Sequence, residues 1–550
     1  MGDFATAHRA TLDKAAEAIT ARTHFSAYPE MPSGKIYGET AKADAEAAFA
    51  ALRNRRFDLG AEGAWIGAEV SPWGPALGIT YAAATPATLV ARAEAARGTW
   101  AEAAPAQRAG VCLEILHRLN RDSFLMANAV MHTTGQAFVM AFQAGGPHAQ
   151  DRGLEAVAYA MAEMSRIPGA VRWDKPAGRD MLSIDKRFRI IPRGIALTIG
   201  CATFPTWNSY PGLFASLVTG NAVIVKPHPA AVLPLALTVR TARAVLAEAG
   251  FAPDVVQLAP DAAEAPIAQE LAGHAAIGII DFTGGPTFGT WLRETLPKGK
   301  ALFTEEAGIN PVVLHSTQDF AGLCRNLAFS LALYSGQMCT APQNIFVPAD
   351  GIATEAGAKA FEEVGAGLVA ALDALLSDAT RAAGVLGAIV NPATLDRIAQ
   401  ARRLGRVLRD SAAIDGLAEA RTASPLLLEV DAADREAWGE ERFGPIAFLI
   451  RCADADEALS LAAQSTREKG AITALVHSTD EAFLNRAEAA FAAAGVALSE
   501  NLTGGLFVNQ SAAFSDYHVS GANPAGNACL TDSAFVANRF HIAMSRRQAA

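Results

Sequence analysis

The residue with the clearest chemical promise is Cys339, in the string Tyr334-Ser-Gly-Gln-Met-Cys-Thr340. The string breaks a helical stretch just before a strand-like run, 344–347, and a junction of that kind can present a thiol to a cleft. Only a few per cent of an ordinary thiol is thiolate at neutral pH, so a nucleophile here needs local help. Taken alone, a buried cysteine is more often structural. A candidate base lies 34 residues earlier, in Thr304-Glu-Glu-Ala-Gly-Ile-Asn-Pro311. Adjacent carboxylates on an extended segment project to opposite sides, so at most one of Glu305 and Glu306 faces a given cleft. Their plainer reading is a solvated surface pair. The third group is Asn208, in Phe204-Pro-Thr-Trp-Asn208, after a buried strand that ends near Gly200. Open α/β sheets bind ligands at such strand ends. A carboxamide there can donate to a developing oxyanion, which is worth about 3 kcal/mol in a transition state; otherwise Asn208 is a turn former.

Other strings suit a nucleotide. Asn221 and a buried strand lead to Lys226-Pro227, a cation at a strand end. Asp281-Phe-Thr-Gly-Gly-Pro-Thr-Phe-Gly289 follows another strand and opens a helix. Gly284 and Gly285 allow close backbone approach, and free amides at a helix start suit a pyrophosphate. Gly365-Ala-Gly367-Leu-Val-Ala370 loosely matches a dinucleotide fingerprint, but it sits in a helical run with no strand before it, so it is rejected.

The elements that must position these groups alternate. Short buried strands at 194–199, 222–225, 255–258 and 276–280 are separated by helices at 210–219 and 233–250, the pattern of a parallel, doubly wound sheet. A second α/β unit begins near Pro311. Residues 85–164 read as nearly all helix, starting at Thr85-Pro86 and interrupted at His132-Thr-Thr-Gly135. Residues 171–193 read as an exposed hairpin. Residues 4–21 read as one amphipathic helix followed by an irregular loop, and residues after Asn509 as a tail.

Bulk properties narrow the classes. With 550 residues the chain needs two or three domains. A net charge of −10 argues against a nucleic-acid binder. No apolar run spans a bilayer and the start lacks a secretory h-region, so a cytoplasmic protein is expected. Gly2 and Thr6 fit a loose myristoylation pattern, which is set aside. Six dispersed cysteines, none in a Cys-x-x-Cys pair, read as reduced thiols. No sequence cluster of His, Cys and acidic residues suggests a metal.

Together the strings resemble the aldehyde dehydrogenase superfamily, in order and spacing, from about Thr85 to the end. Glu441-Arg-Phe-Gly-Pro445, Val508-Asn509 and Ser520-Gly521 look like its later motifs. The resemblance implies an α/β fold with a Rossmann-type cofactor domain (81–170 and 190–307), an α/β catalytic domain (308–510) and a small β oligomerisation element (171–189 and 520–550). Residues 1–80 remain as an N-terminal extension. It implies Cys339 as nucleophile forming a thioester, Glu305 as base and Asn208 with the Cys339 amide as oxyanion donors. Lys226 and Glu441 would hold the two riboses of NAD or NADP, with Gly284, Gly285, Gly289, Trp207, His228 and Phe443 lining the cofactor. A homodimer or homotetramer is implied.

Departures refine this. Many NAD-using members follow Lys-Pro with Ser-Glu, and here the pair is His228-Pro229. Without that carboxylate a 2′-phosphate meets no like charge, so NADP is favoured over NAD. Glu305 is retained, whereas CoA-acylating members typically lack it, so hydrolysis to a free acid is expected. The strings His8-Arg-Ala-Thr-Leu12, Tyr28-Pro-Glu30 and Pro32-Ser-Gly-Lys-Ile-Tyr-Gly38 further resemble the phenylacetic acid degradation family PaaN. That implies 3-oxo-5,6-dehydrosuberyl-CoA semialdehyde as substrate and a separate enoyl-CoA hydratase-type ring-opening enzyme as partner. The alternatives are a dehydrogenase for an unrelated aldehyde and a catalytically silent member.

Overall fold

Apolar runs too short for helices and flanked by turn formers become fully buried strands. Ile195–Ile199, Ala222–Lys226 and Val256–Leu258 are buried along their whole length, as strands covered on both faces must be. The computed structural model describes residues 3–60, 63–67, 69–306, 308–508, 513–514 and 518–549; Gly2 and Asn509 lie outside them. The three strands join Ile277–Gly284 and Ala301–Glu306 in one five-stranded, all-parallel sheet. Its spatial order is Ala301–Glu306, Ile277–Gly284, Ile195–Ile199, Ala222–Lys226, Val256–Leu258. The chain starts in the middle, runs to one edge and returns on the other side of Ile195–Ile199. That reversal opens a crevice at the carboxyl ends of Ile195–Ile199 and Ile277–Gly284.

A second sheet has seven strands in the order Arg406–Arg409, Leu426–Asp431, Ile446–Cys452, Pro342–Pro348, Asn310–Leu314, Thr473–His477, Ala497–Glu500. It is parallel throughout except at the edge pair Arg406–Arg409 and Leu426–Asp431. The α/β class read from the sequence is therefore the observed one. The rejected glycine string falls inside the helix Phe361–Leu376, with no strand to deliver it.

Helices cover the first sheet. Pro86–Glu102 starts where expected: the Thr85 hydroxyl accepts from the Thr88 amide at 3.2 Å and Pro86 needs no amide partner. Gly135, at φ 83°, ends Ser123–Thr134 in a left-handed cap. The helix after Gly200 begins earlier than the apolar pattern suggests. It spans Pro205–Val218, so Asn208 lies in its first turn.

The first eighty residues are more ordered than their Pro- and Gly-rich text implies. Residues 4–21 form two helices, Phe4–Ala7 and Arg9–Ala21. Three short strands, Arg56–Phe57, Ala64–Ile66 and Thr80–Ala83, make a small sheet. Ala15, Phe49, Phe57, Leu77 and Tyr81 join the main core. The hairpin Ala170–Ala177 and Asp180–Pro192 projects outward, and the last strand, Phe540–Gln548, pairs along its long arm. No helix of the described residues is long and apolar enough to cross a membrane.

Candidate active site

The loop that carries Cys339 is strained and heavily pinned. After the helix Phe320–Ala332, Tyr334 and Ser335 take left-handed conformations, φ 52° and 50°, each of which costs energy for a residue with a side chain. The Tyr334 hydroxyl donates to the Thr134 carbonyl at 2.5 Å, and Ser335 Oγ lies 3.0 Å from the Leu386 carbonyl and 2.9 Å from that of Ala423. Gly336 has φ 61°, and a Cβ there would sit 2.4 Å from the Gly444 carbonyl. The loop Glu441-Arg-Phe-Gly-Pro445 therefore packs directly on the nucleophile loop. Gln337 is a strut: its amide donates to the Tyr334 and Ala388 carbonyls and accepts from the Val390 amide. Asn310 completes the frame. It donates to the Cys339 and Ala341 carbonyls, both at 2.8 Å, and accepts from the Ile472 and Thr473 amides.

So held, Cys339 meets the other two chemical groups. Its sulfur is 3.9 Å from Glu305 Oε1, and Asn208 Nδ2 donates to that same oxygen at 2.8 Å. Strand alternation separates the two carboxylates as expected, but neither is a solvated surface group. Glu306 is buried on the opposite side, paired with Arg293. A fourth group completes the cluster. His518 Nε2 stands 3.6 Å from the Cys339 sulfur and 3.1 Å from Glu305 Oε1. The sequence shows no grouping of Cys, His and acidic residues, yet the fold brings these three within 4.8 Å of one another.

Trp207 lies beside this cluster. The Arg152 guanidinium stacks 3.8 Å from its ring centroid, and His518 meets its ring at 74° with centroids 4.5 Å apart. Burial alone would raise Glu305, but His518, Arg152 and the Asn208 amide outweigh it and hold the carboxyl below its ordinary range. Burial, then the nearby Glu305 carboxylate and Cys201 sulfur, pushes the Cys339 thiol well above its ordinary value. Of the cluster, Asn208, Glu305 and His518 line a cleft together with Arg152, Glu155, Thr283 and Thr304.

The coenzyme strings lie at the carboxyl ends of the first sheet. Gly285 precedes the helix Pro286–Thr295 and a Cβ there would meet nothing, so a ligand can approach the backbone. Gly289 is different: a Cβ there would fall 2.3 Å from the Glu306 carboxyl, so its smallness serves helix–strand packing. Lys226 and His228 are not the free cations that the sequence suggests. Lys226 Nζ is 2.7 Å from Asp261, a buried carboxylate beyond the end of the neighbouring strand. His228 is exposed, and its Nδ1 accepts from the Ala230 amide at 3.1 Å, as a neutral ring does. Glu441 is anchored through its neighbours. Gln343 accepts from the Arg442 amide at 2.6 Å and donates to the Glu440 carbonyl at 3.1 Å, while Arg397 donates to the Phe443 carbonyl. Burial raises the Glu441 carboxyl to about 8, with Arg397 as a partial counter-charge. A buried carboxyl, a lysine with one donor to spare and an open helix start together fit a dinucleotide.

Comparison with known proteins decides the family. The model of the aldehyde dehydrogenase family matches residues 78–526. The chain belongs to the aldehyde dehydrogenase family. A crystal structure of an NAD-dependent aldehyde dehydrogenase from Burkholderia multivorans is 52% identical, covers all of both chains and superposes with a TM-score of 0.97. A Thermus 1-pyrroline-5-carboxylate dehydrogenase with bound NAD, 20% identical with a TM-score of 0.73 over 96% of this chain and 99% of its own, shares the fold. Among curated relatives, the N-succinylglutamate 5-semialdehyde dehydrogenase of Chromobacterium violaceum is 28% identical over 284 residues, 49% of this chain. The enzyme of the same name from Paraburkholderia xenovorans is 30% identical over 279 residues, also 49% of this chain. The chain spans about half the length of these curated relatives, 54% in both cases.

Sequence reasoning missed His518, Asp261 and Asn310. Asn310 stood within a quoted string, and its polar side chain before Pro311 in a buried strand was the available signal. His518 and Asp261 carry none, because each meets its partner only through the tertiary fold.

Proposed function

We propose that this chain oxidises an aldehyde to a free carboxylic acid through a thioester on Cys339, with a nicotinamide nucleotide as acceptor. One observation carries the reading: the Cys339 sulfur and the Asn208 carboxamide, remote in sequence, converge on one Glu305 carboxylate oxygen, and Asn208 and Glu305 line a cleft at the crevice of a doubly wound sheet. Cys339 attacks the carbonyl carbon. The second N–H of Asn208 and the Cys339 amide are the candidate donors to the oxyanion that forms. Glu305, held as a carboxylate, takes a proton from the water that releases the acid, a role worth roughly 10²–10⁴-fold in rate. When bound, the nicotinamide coenzyme supplies the hydride acceptor, with Lys226 and Glu441 holding its riboses. We assign the five-stranded sheet to the coenzyme and the seven-stranded sheet to the nucleophile.

For the coenzyme, NAD is favoured. The preference for NADP rested on the missing carboxylate at His228-Pro229, with Lys226 and His228 as helpful cations; Asp261 supplies a carboxylate beside Lys226, and the His228 Nδ1 accepts as a neutral ring does. The Burkholderia protein is also named as NAD-dependent. For the substrate, a semialdehyde is the class that two lines of likeness share. The N-terminal strings point to 3-oxo-5,6-dehydrosuberyl-CoA semialdehyde, and the curated relatives are named for N-succinylglutamate 5-semialdehyde. Purified protein assayed at the reduced-nicotinamide absorbance band against both, with simple aldehydes alongside, tests the reading. Acid formation without added CoA or phosphate, lost in Cys339→Ala, is the expected result. Turnover by Cys339→Ala would sink it.

A further inference from the structure

We propose that His518 is a catalytic residue, the acceptor of the Cys339 thiol proton, so that Cys339, His518 and Glu305 form a thiol–imidazole–carboxylate relay; the proposal rests on the reading of Cys339 as nucleophile. One ring nitrogen, Nε2, faces both the sulfur at 3.6 Å and the carboxylate at 3.1 Å. The other, Nδ1, is buried and has no hydrogen-bond partner among the described residues. Nothing else among the described residues claims the ring's proton chemistry, and Trp207 fixes the ring edge-on.

Electrostatics explains why an internal acceptor is needed. If the thiol lost its proton to solvent, two anions would stand 3.9 Å apart in a buried cluster. Transfer through His518 leaves the cluster's total charge unchanged: Nε2 passes the proton it shares with the carboxylate to Glu305 and takes the thiol proton in its place, so only one anion stands in the cluster at a time. The S–H bond breaks, its electron pair stays on sulfur and forms the bond to the aldehyde carbon as the carbonyl π pair moves to oxygen; the thiol proton becomes the Nε2–H, and the proton it displaces goes to Glu305. Once the thioester exists, that proton passes from Glu305 to water in the cleft. Glu305 is then again a carboxylate and can deprotonate the attacking water. The charged and titratable groups that share this space with His518 are Cys339, Glu305, Arg152, Glu155, Cys201 and Cys529, with Asp281 deeper in the cleft and paired to Arg539.

The test reads the sulfur directly. Alkylation of Cys339 by iodoacetamide is followed against pH by mass spectrometry, in wild type, His518→Gln and Glu305→Gln, with folding checked by thermal melts. The relay predicts that wild type reacts at neutral pH and that His518→Gln moves the reactive limb upward by at least about one pH unit, tenfold in thiolate. Glu305→Gln gives an independent sign should His518→Gln fail to fold. Simple charge repulsion predicts faster alkylation when the carboxylate is removed, whereas the relay predicts slower alkylation, because the ring proton then has no carboxylate to receive it. An unchanged profile in His518→Gln, or faster alkylation in Glu305→Gln, overturns the relay. Aldehyde oxidation by Cys339→Ala reports separately on the underlying nucleophile.

Discussion

Asn310 holds four backbone groups with one side chain, two on the nucleophile loop and two on the segment leading into Thr473–His477. Asn310→Ala strands buried donors and acceptors, each costing about 1–3 kcal/mol. The expected outcome is a loss of about 2–4 kcal/mol in denaturant unfolding, together with a fall in kcat larger than any change in KM. An unaltered unfolding midpoint would show that the frame does not depend on it. Asp261 supports a second prediction. Asp261→Asn frees the Lys226 charge, so the ratio of kcat/KM for NADP over NAD should rise about tenfold, worth about 1.4 kcal/mol. Coenzyme binding measured by fluorescence titration should shift in the same direction, and an unmoved ratio would remove Asp261 from coenzyme selection. The contrast between these residues and Cys339 explains what the sequence could tell. Cys339, Glu305 and Asn208 sit in short strings with strand, turn and glycine context that point to chemistry. His518 and Asp261 act across distances that no local spacing records.

At the level of elements, buried strands and capped helices were legible because hydrophobic period and turn chemistry are local. The small N-terminal sheet was not, because its strands are two to four residues long and give no period to count. Beside its core contacts, one carboxylate helps to fix that segment to the rest. Glu69 accepts from the Val232 and Leu233 amides at the start of the helix Leu233–Glu248 and from the Tyr81 hydroxyl. Burial, against those hydrogen bonds, pushes Glu69 up to about 7 from the ordinary 4.5. Below the ordinary value both folded and unfolded chains carry the proton and this group does not affect stability. Between the two values the unfolded chain ionises first, so stability falls as pH rises, and above about 7 the penalty is constant. Glu69→Gln keeps an acceptor for the two amides and removes the titration. Its stability relative to wild type should therefore rise by about 2–3 kcal/mol between the acid and neutral limits. Parallel stability–pH curves for the two proteins would refute that account.

For the molecule as a whole, the C-terminal segment ties the site to the projecting sheet. Gly526 pairs with Glu305 in an isolated bridge, and Arg539 makes a bidentate pair with Asp281 at 2.6 and 2.8 Å beneath the crevice. The following strand, Phe540–Gln548, closes one side of the three-stranded sheet, which leaves unpaired edges on that strand and on Ala170–Ala177. Register places Val171, Trp173, Leu182 and Ile184 on one face of the hairpin together with Lys175 and Lys186, and Val171, Trp173 and Leu182 are exposed. Open edges beside exposed apolar side chains are a liability in a lone chain, and a symmetric second copy covers both at once. We therefore expect an oligomer whose contact includes this hairpin. Placing charges on that face, Trp173→Glu with Leu182→Glu, should lower the mass measured by light scattering to that of one chain or of a smaller assembly, while the melting transition remains cooperative. The cluster around Cys339 is built from one chain, so its alkylation should survive the dissociation. Wild type that runs as a single chain, or a double variant that keeps its full mass, would remove the hairpin from the assembly.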